Sequence, residues 1–171
     1  MNPSSSIALV AAVSDNGVIG RGNDLPWRLP DDMKFFMELT RGNTVIMGRR
    51  TFESMKSKPL SGRRNIVVTR RTDWQSGGVE AANSLDQAIE LGHLNQMGRL
   101  FVIGGAELYR QALAHEGLTR IYLTRVHAQV NGDTYFPSVD GSAWRLLERR
   151  DHPADSRHEF AFTFEVYGKN L

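Results

Sequence analysis

Asp31 and Asp32 are adjacent carboxylates at the start of an amphipathic run, "LPWRLPDDMKFFMEL" at residues 25–39. Pro30 suits a first helical position, because its fixed backbone angle is already helical and its missing N–H would have no partner there. Carboxylates just after it favour the helix dipole. At about 100° per residue, Asp31 shares a polar arc with Lys34 and Glu38. Asp32 falls between Leu39 and Phe36, in the arc that also carries Met33, Phe35 and Met37. The spacing therefore predicts a solvent-facing helix starter at Asp31 and an inward-pointing carboxylate at Asp32. An unpaired carboxylate in apolar surroundings is costly, so Asp32 must take up a proton or meet a hydrogen-bonding partner. A partner within the protein would serve; a ligand N–H would serve and would also make Asp32 a functional residue.

Glycines at two strand-to-helix junctions offer a second kind of chemistry. "FVIGGAELY" at residues 101–109 runs from an apolar strand through Gly104 and Gly105 into a helix, and "VIMGRRTFES" at residues 45–54 repeats the pattern with Gly48, Arg49, Arg50 and Thr51. Missing side chains let a phosphate approach the backbone, and a helix N-terminus presents free N–H groups with a favourable dipole. Neither junction is the G-x-G-x-x-G fingerprint, and a tight turn alone also explains paired glycines. Together they suggest a nucleotide with more than one phosphate. His93, His115, His127, His152 and His158 show no dense ligand spacing and read as mostly surface residues, so no metal site is expected. No G-x-S-x-G nucleophile signature is present.

Elements must hold these residues in place, and 171 residues with 40% hydrophobic and 23% charged composition suit one globular domain spanning residues 1–171. The first six residues form a short polar extension. Apolar, β-branched runs ("IALVAAV", "NTVIMG", "RNIVVTR", "GGVEAA", "RLFVIGG", "RIYLTRV", "WRLLERR", "EFAFTFEVYG") predict about eight strands. The early ones are nearly continuous, as expected of strands covered on both faces by helices. In the last, Phe160, Phe162, Phe164 and Val166 alternate with Ala161, Thr163, Glu165 and Tyr167, which predicts an antiparallel edge. Helices are expected near residues 30–41, 50–56, 84–94 and 105–115, the third opened by a capping box of Ser84 and Gln87. Alternating strands and helices indicate the α/β class. The formal charge of +2 does not demand nucleic acid, and no apolar run approaches the length of a membrane helix. Absence of cysteine excludes disulfides and is compatible with a reducing compartment. The expectation is a soluble cytoplasmic protein.

Taken in order, "VAAVSDNGVIGRGNDLPWRLPDDMKFF", "VIMGRRTFES", "KPLSGRRNIVVTR", "VIGGAELY", "IYLTRV" and "GDTYFP" closely resemble the dihydrofolate reductases, over essentially the whole chain beyond the polar start. The resemblance implies a central eight-stranded, mostly parallel sheet with four flanking helices. It also implies an antifolate-target enzyme that reduces 7,8-dihydrofolate to tetrahydrofolate with NADPH, without nucleic-acid or membrane partners, and as a monomer. Catalytic roles carry over to Asp32 as the one acidic group of the pterin pocket, Thr124 as the hydroxyl beside it, Trp27 as an indole that orders water, and Leu25 in the lid. The substrate walls implied are Val10, Ala12, Met33, Phe36, Met55, Leu60, Ile103 and Tyr109, with Arg63 gripping the α-carboxylate of the glutamate tail and Lys58 nearby.

Cofactor contacts are implied for Ala12 and, within the mobile lid at residues 14–27, for Val18, Ile19, Gly20, Asn23 and Asp24. Gly48, Arg49, Arg50 and Thr51 form one further group and Val68, Thr69 and Arg70 a second. Gly104, Gly105, Ala106, Glu107, Leu108, Tyr109 and Thr134 complete the set. Leu25 departs from a common methionine, Ser61 from a common proline, and the "ESMKSKPLSGR" loop is one residue longer than in many relatives. Glu107 replaces an arginine found in some members, which leaves the 2'-phosphate to other basic groups. A pyrimidine reductase of the same fold would lack the Trp27, Asp32 and Thr124 set, and a non-catalytic nucleotide-binding protein would need no buried carboxylate.

Overall fold

A computed structural model describes residues 6–170, so the expected polar extension lies, apart from Ser6, outside the described residues. The order is β1 (Ile7–Ser14), β2 (Val18–Gly20), α1 (Pro30–Thr40), β3 (Thr44–Gly48), α2 (Arg49–Ser54), β4 (Arg64–Val68) and β5 (Glu80–Ala82), followed by α3 (Leu85–His93), β6 (Leu100–Val102), α4 (Ala106–Leu113), β7 (Leu118–Val126), β8 (Thr134–Tyr135), β9 (Trp144–His152) and β10 (Phe162–Lys169). Eight strands form one sheet in the order β5-β4-β3-β6-β1-β7-β10-β9, and β2 pairs with β8 in a separate two-stranded ribbon. The pairings from β5 through β7 are parallel, while β10 runs antiparallel to both β7 and β9. The expected α/β architecture, an eight-stranded sheet with four helices, is what the described residues adopt.

Strand periodicity of two sorts side chains to opposite faces, which explains the continuous apolar runs. Ile7, Leu9, Ala11 and Val13 of β1 join Leu85, Ala88, Leu108 and Ala112 of α3 and α4 in one core cluster. Ala8 and Val10 turn the other way, with Val45, Met47, Val67 and Phe101, against Phe52 of α2 and Phe36 and Leu39 of α1. A third cluster joins Trp27 and Leu29, just before α1, to Val126, Phe162 and Phe164. Phe35 of α1 stacks obliquely on Phe164, with ring centroids 4.5 Å apart.

The antiparallel edge forms as expected, from β10 and, outside it, β9, which is exposed along nearly all its length. Thr163, on the opposite face of β10 from Phe162 and Phe164, is also buried, its hydroxyl donating to Asp151 Oδ1 at 2.7 Å and meeting His127 Nε2, also at 2.7 Å. Met33 and Met37 do not share the burial of their helical arc, being 48% and 41% exposed; α1 meets the sheet mainly through Phe35, Phe36 and Leu39. The cap of α3 forms as expected, with Ser84 Oγ accepting the Gln87 N–H at 3.0 Å. The return bond from Gln87 Oε1 reaches Asn83 N instead of Ser84.

Candidate active site

The first turn of α1 brings Asp32 against β7, where the Thr124 hydroxyl donates to Asp32 Oδ1 at 2.7 Å. Burial pushes the Asp32 carboxyl above its ordinary range, and the Thr124 bond opposes that rise only in part. Ala12 lies beside Thr124 in the parallel register of β1 and β7 and packs in the same cluster as Trp27. The Trp27 indole Nε1 is buried and makes no hydrogen bond among the described residues. A buried donor of this kind is uncommon in folded proteins and marks a place for water or ligand oxygen. Sequence spacing thus identified the carboxylate, and the fold supplies it with a hydroxyl and an adjacent free donor.

Val10, Phe36, Met55, Leu60 and Ile103 converge on one apolar face. Met33 instead borders an open groove with Arg28, Lys34, Met37 and Arg41. Near the C-terminus of α1, Arg63 donates from Nε to Ser61 O at 2.9 Å and from Nη1 to Thr40 Oγ1 at 3.1 Å. Those two bonds fix the guanidinium plane and leave Nη2 without a partner among the described residues. Burial and the neighbouring Arg41 lower its pKa. Lys58 is exposed in a loop where Lys56 and Ser57 both adopt positive φ.

The glycine junctions meet at the carboxyl ends of β3 and β6. Gly48 N–H donates to Gly104 O at 2.9 Å, and a cis peptide joins Gly104 to Gly105. Gly104 has φ +132, and a Cβ there would lie 3.3 Å from Tyr109 Oη; one on Gly105 would lie 3.4 Å from Thr51 Oγ1. The N-caps Gly48 and Gly105 carry no side-chain acceptor, so backbone N–H groups of α2 and α4 are not capped from within. Ala106 opens α4 beside them. Arg49 is not free, since Nη1 pairs with Glu53 Oε1 at 2.5 Å. Arg50 and Arg70 are exposed, Val68 ends β4, and Thr69 is buried with its hydroxyl accepting Arg71 N–H at 3.1 Å. Glu107 is bonded by Arg110 and, at 3.0 Å, by Gln111.

Tyr109 and Leu108 are core residues. The Tyr109 hydroxyl lies 2.8 Å from both Val10 O and Ile103 O, and burial pushes its phenol upward. Tyr109 therefore supports the wall from behind, its hydroxyl being occupied.

Residues 14–27 are pinned more firmly than a glycine-rich lid suggests. Val18 is fully buried, Gly22 N–H donates to Asp133 Oδ2 at 2.9 Å, and Asn23 Nδ2 reaches Arg50 O at 3.1 Å. Gly20 and Ile19 lie in β2, whose partner β8 begins at Thr134; the Thr134 hydroxyl donates to Asp133 Oδ1 at 2.9 Å. Asp24 Oδ1 accepts the N–H of Leu25, which is itself exposed. Asp133 was not among the expected site residues, although it stands inside the "GDTYFP" motif.

Asp31 is not simply solvent-facing. His152 Nε2 lies 2.7 Å from its Oδ2, and its backbone N–H donates to His158 Nε2 at 3.0 Å. His158, expected at the surface, is fully buried. Nothing in the spacing of these residues announces the contact, which only the tertiary fold creates.

Open α/β sheets bind ligands beyond the carboxyl ends of their strands, where strand order reverses. Here β6 and β1 lie at that reversal, flanked by side-chain-free junctions, with a half-buried carboxylate in the groove alongside. That combination defines a nucleotide-binding α/β enzyme acting on an N–H-bearing ligand. The family model described as dihydrofolate reductase matches residues 6–169. "Dihydrofolate reductase type 3" of Salmonella typhimurium is 48% identical over 158 residues, covering 92% of this chain and 94% of the relative. The dihydrofolate reductase of Bacillus subtilis (strain 168) is 37% identical over 163 residues, covering 95% and 94%. The solved dihydrofolate reductase of Enterococcus faecalis, complexed with NADP(H) and RAB-propyl, superposes with a TM-score of 0.91 at 33% identity over 98% of each chain. The chain belongs to the dihydrofolate reductase family.

Proposed function

We propose that this chain catalyses the NADPH-dependent reduction of 7,8-dihydrofolate to 5,6,7,8-tetrahydrofolate. The observation that carries the reading is the part-buried Asp32–Thr124 pair, a carboxylate held by a hydroxyl donor in the groove beside the glycine junctions. A pyrimidine reductase would have no use for that pair together with Trp27.

NADPH, when bound, would supply the hydride, which passes from C4 of its nicotinamide to C6 of the pterin while N5 takes up a proton. The residues at the junctions fit such a dinucleotide: Gly48, Gly104 and Gly105 present backbone with no side chain in the way, and Arg50 and Arg70 are exposed cations, Arg70 within electrostatic reach of Glu107. Asp32, ionised, accepts hydrogen bonds from the pterin N3 and 2-amino groups, and its charge favours protonation at N5. Thr124 keeps Asp32 oriented. Trp27 Nε1, lacking a protein acceptor, is suited to hold the water through which that proton arrives. Val10, Phe36, Met55, Leu60 and Ile103 exclude bulk water from the reacting face, which strengthens electrostatic interactions there. Arg63 offers its free Nη2 to the α-carboxylate of the glutamate tail.

The same reading makes the chain a cytoplasmic monomer. In support, it has no cysteine, and no helix among the described residues is long and apolar enough to cross a membrane. The outermost strand β9 carries Arg145, Glu148, Arg149, Arg150 and Asp151, charges that discourage edge-to-edge pairing. The test is absorbance at the reduced nicotinamide band: NADPH consumption must depend on dihydrofolate, and its absence in correctly folded protein would overturn the proposal.

A further inference from the structure

Asp31, one residue before the proposed catalytic carboxylate, is gripped by the turn between β9 and β10 at the edge of the sheet. His152 ends β9 and His158 lies in the turn before β10, and both rings reach the N-terminus of α1. His152 Nε2 is 2.7 Å from Asp31 Oδ2, and Nδ1 is 2.8 Å from Pro153 O. A carboxylate and a carbonyl can only accept, so both ring nitrogens donate and the ring is an imidazolium. It lies flat on Phe162, centroids 4.3 Å apart and planes 13° from parallel, which fixes its angle.

His158 is arranged the other way. Its Nδ1 donates to Asp155 Oδ1 at 2.8 Å, leaving Nε2 to accept the Asp31 backbone N–H at 3.0 Å. The N-cap residue of α1 is Leu29, which has no side-chain oxygen. His158 thus satisfies a first-turn N–H that helix geometry leaves without a partner. The three side chains are close enough to suggest a cation site, yet each of these donor atoms already has a protein partner, and the 2.7 Å His152–Asp31 contact is a hydrogen bond. These hydrogen bonds satisfy the cluster without an ion.

We propose that His152 and His158 are positioning residues for Asp32: protonated His152 and neutral His158 clamp the first turn of α1, and substrate binding at Asp32 is thereby coupled to the proton on His152. The inference rests on the function proposed above. Asp31 and Asp32 share one turn, so loosening the clamp shifts the carboxylate relative to Thr124, and a displacement of ~1 Å at a reacting group can cost roughly a hundredfold in rate. The titratable and charged groups facing His152 are Asp31 from α1 and Asp155, Arg157 and His158 from the turn; β10 presents Phe162. Arg157 Nη1, 3.6 Å from Asp31 Oδ1, is the competing cation. The bond to Asp31 raises the His152 ring above its ordinary value of 6.5. A raised folded value means the clamp is complete below the ordinary imidazole range and is lost as pH rises through the raised one. Asp31, held below its ordinary 3.8 chiefly by the His152 bond, sets the acid limit.

The experiment follows the His152 ring protons by NMR against pH, with and without saturating folate, alongside dihydrofolate Michaelis constants. Coupling is reciprocal, so folate must shift the His152 titration upward, and dihydrofolate affinity must fall severalfold as pH rises through that titration. His152→Gln, which keeps a donor for Asp31 without titrating, should abolish that alkaline loss. His158→Leu should raise the Michaelis constant for dihydrofolate by roughly tenfold, the equivalent of one lost hydrogen bond, and His158→Gln should restore it by offering an acceptor. If His158→Leu fails to fold, the folate-linked shift in the parent still decides. A His152 titration indifferent to folate overturns the inference, and so does tight Zn²⁺ binding to the parent that His152→Gln abolishes. Either result with dihydrofolate-dependent NADPH oxidation intact leaves the proposed function standing; loss of that oxidation in the parent is the separate failure.

Discussion

Asp31 and Asp32, adjacent and identical in type, should respond oppositely to the same substitution. Asp32→Asn removes the charge that favours pterin protonation, so turnover at neutral pH should fall by roughly 10² to 10⁴. Burial raises the Asp32 carboxyl, so its ionised form costs folding stability at neutral pH, and that cost vanishes as pH falls until the carboxyl is protonated in both folded and unfolded chains. Asp32→Asn should therefore melt at a higher temperature than the parent at neutral pH, with the gap closing towards acid. Asp31 is held below its ordinary value, first by the His152 bond, so its charge stabilises the fold at neutral pH and Asp31→Asn should melt lower. Thermal denaturation across pH checks both signs; a shared direction would refute the distinction. Arg63→Leu should weaken dihydrofolate binding by on the order of 2–5 kcal/mol, as for a buried charge pair losing one partner, while a pterin fragment without the glutamate binds nearly as before. Asp32 was legible from helical periodicity because its burial follows from neighbours three and four residues away. The contacts of Asp31 were not legible, because their partners lie 121 and 127 residues further along the chain.

At the level of elements, the pairing of β2 with β8 depends on a close approach that only glycine allows. A Cβ on Gly132 would lie 2.3 Å from Val18 Cγ1 and 2.6 Å from Gly20 O, inside van der Waals contact with both. Gly132→Ala should push β8 from β2 and break the Asp133–Gly22 bond, because Asp133 follows directly. We expect a lower kcat and faster proteolysis within residues 14–27, with the sheet's far-ultraviolet circular dichroism unchanged. Unaltered turnover would mean that β2 and β8 separate without consequence for the reaction. The strands β2 and β8 escaped sequence reading because they span three and two residues, too short for a periodic pattern. The antiparallel edge was legible, but which of its two strands lies outermost was not, because the alternating pattern of β10 marks two unlike faces and does not say whether another strand adds to its edge. Burial of Thr163 through Asp151 and His127 is the tertiary fact that sequence could not supply.

For the whole molecule, the parallel core was readable because strands buried on both faces are apolar at every position, whereas the distribution of charge around the nucleotide site depends on which cations already have partners. Arg49, Arg50 and Thr51 follow Gly48, and Thr69, Arg70 and Arg71 follow β4, so basic groups gather at the carboxyl end of a sheet in a chain of net charge only +2. Glu53 pairs with Arg49, and Glu107 is bonded by Arg110 and Gln111, which limits both the attraction of Arg49 and the repulsion from Glu107. If this cluster grips the 2'-phosphate of NADPH, the parent should prefer NADPH over NADH strongly. Replacing Arg49 and Arg70 together by neutral residues should raise the Michaelis constant for NADPH and leave that for NADH nearly unchanged. Each lost charge-assisted contact is worth roughly 1.5–3 kcal/mol, about tenfold or more in affinity. Glu53→Gln, which releases Arg49, should leave NADPH binding intact or tighten it. Added salt should weaken NADPH binding more in the parent than in the double variant, since part of the attraction between exposed charges is screened. A double variant that discriminates between the cofactors as sharply as the parent would move the 2'-phosphate away from these arginines.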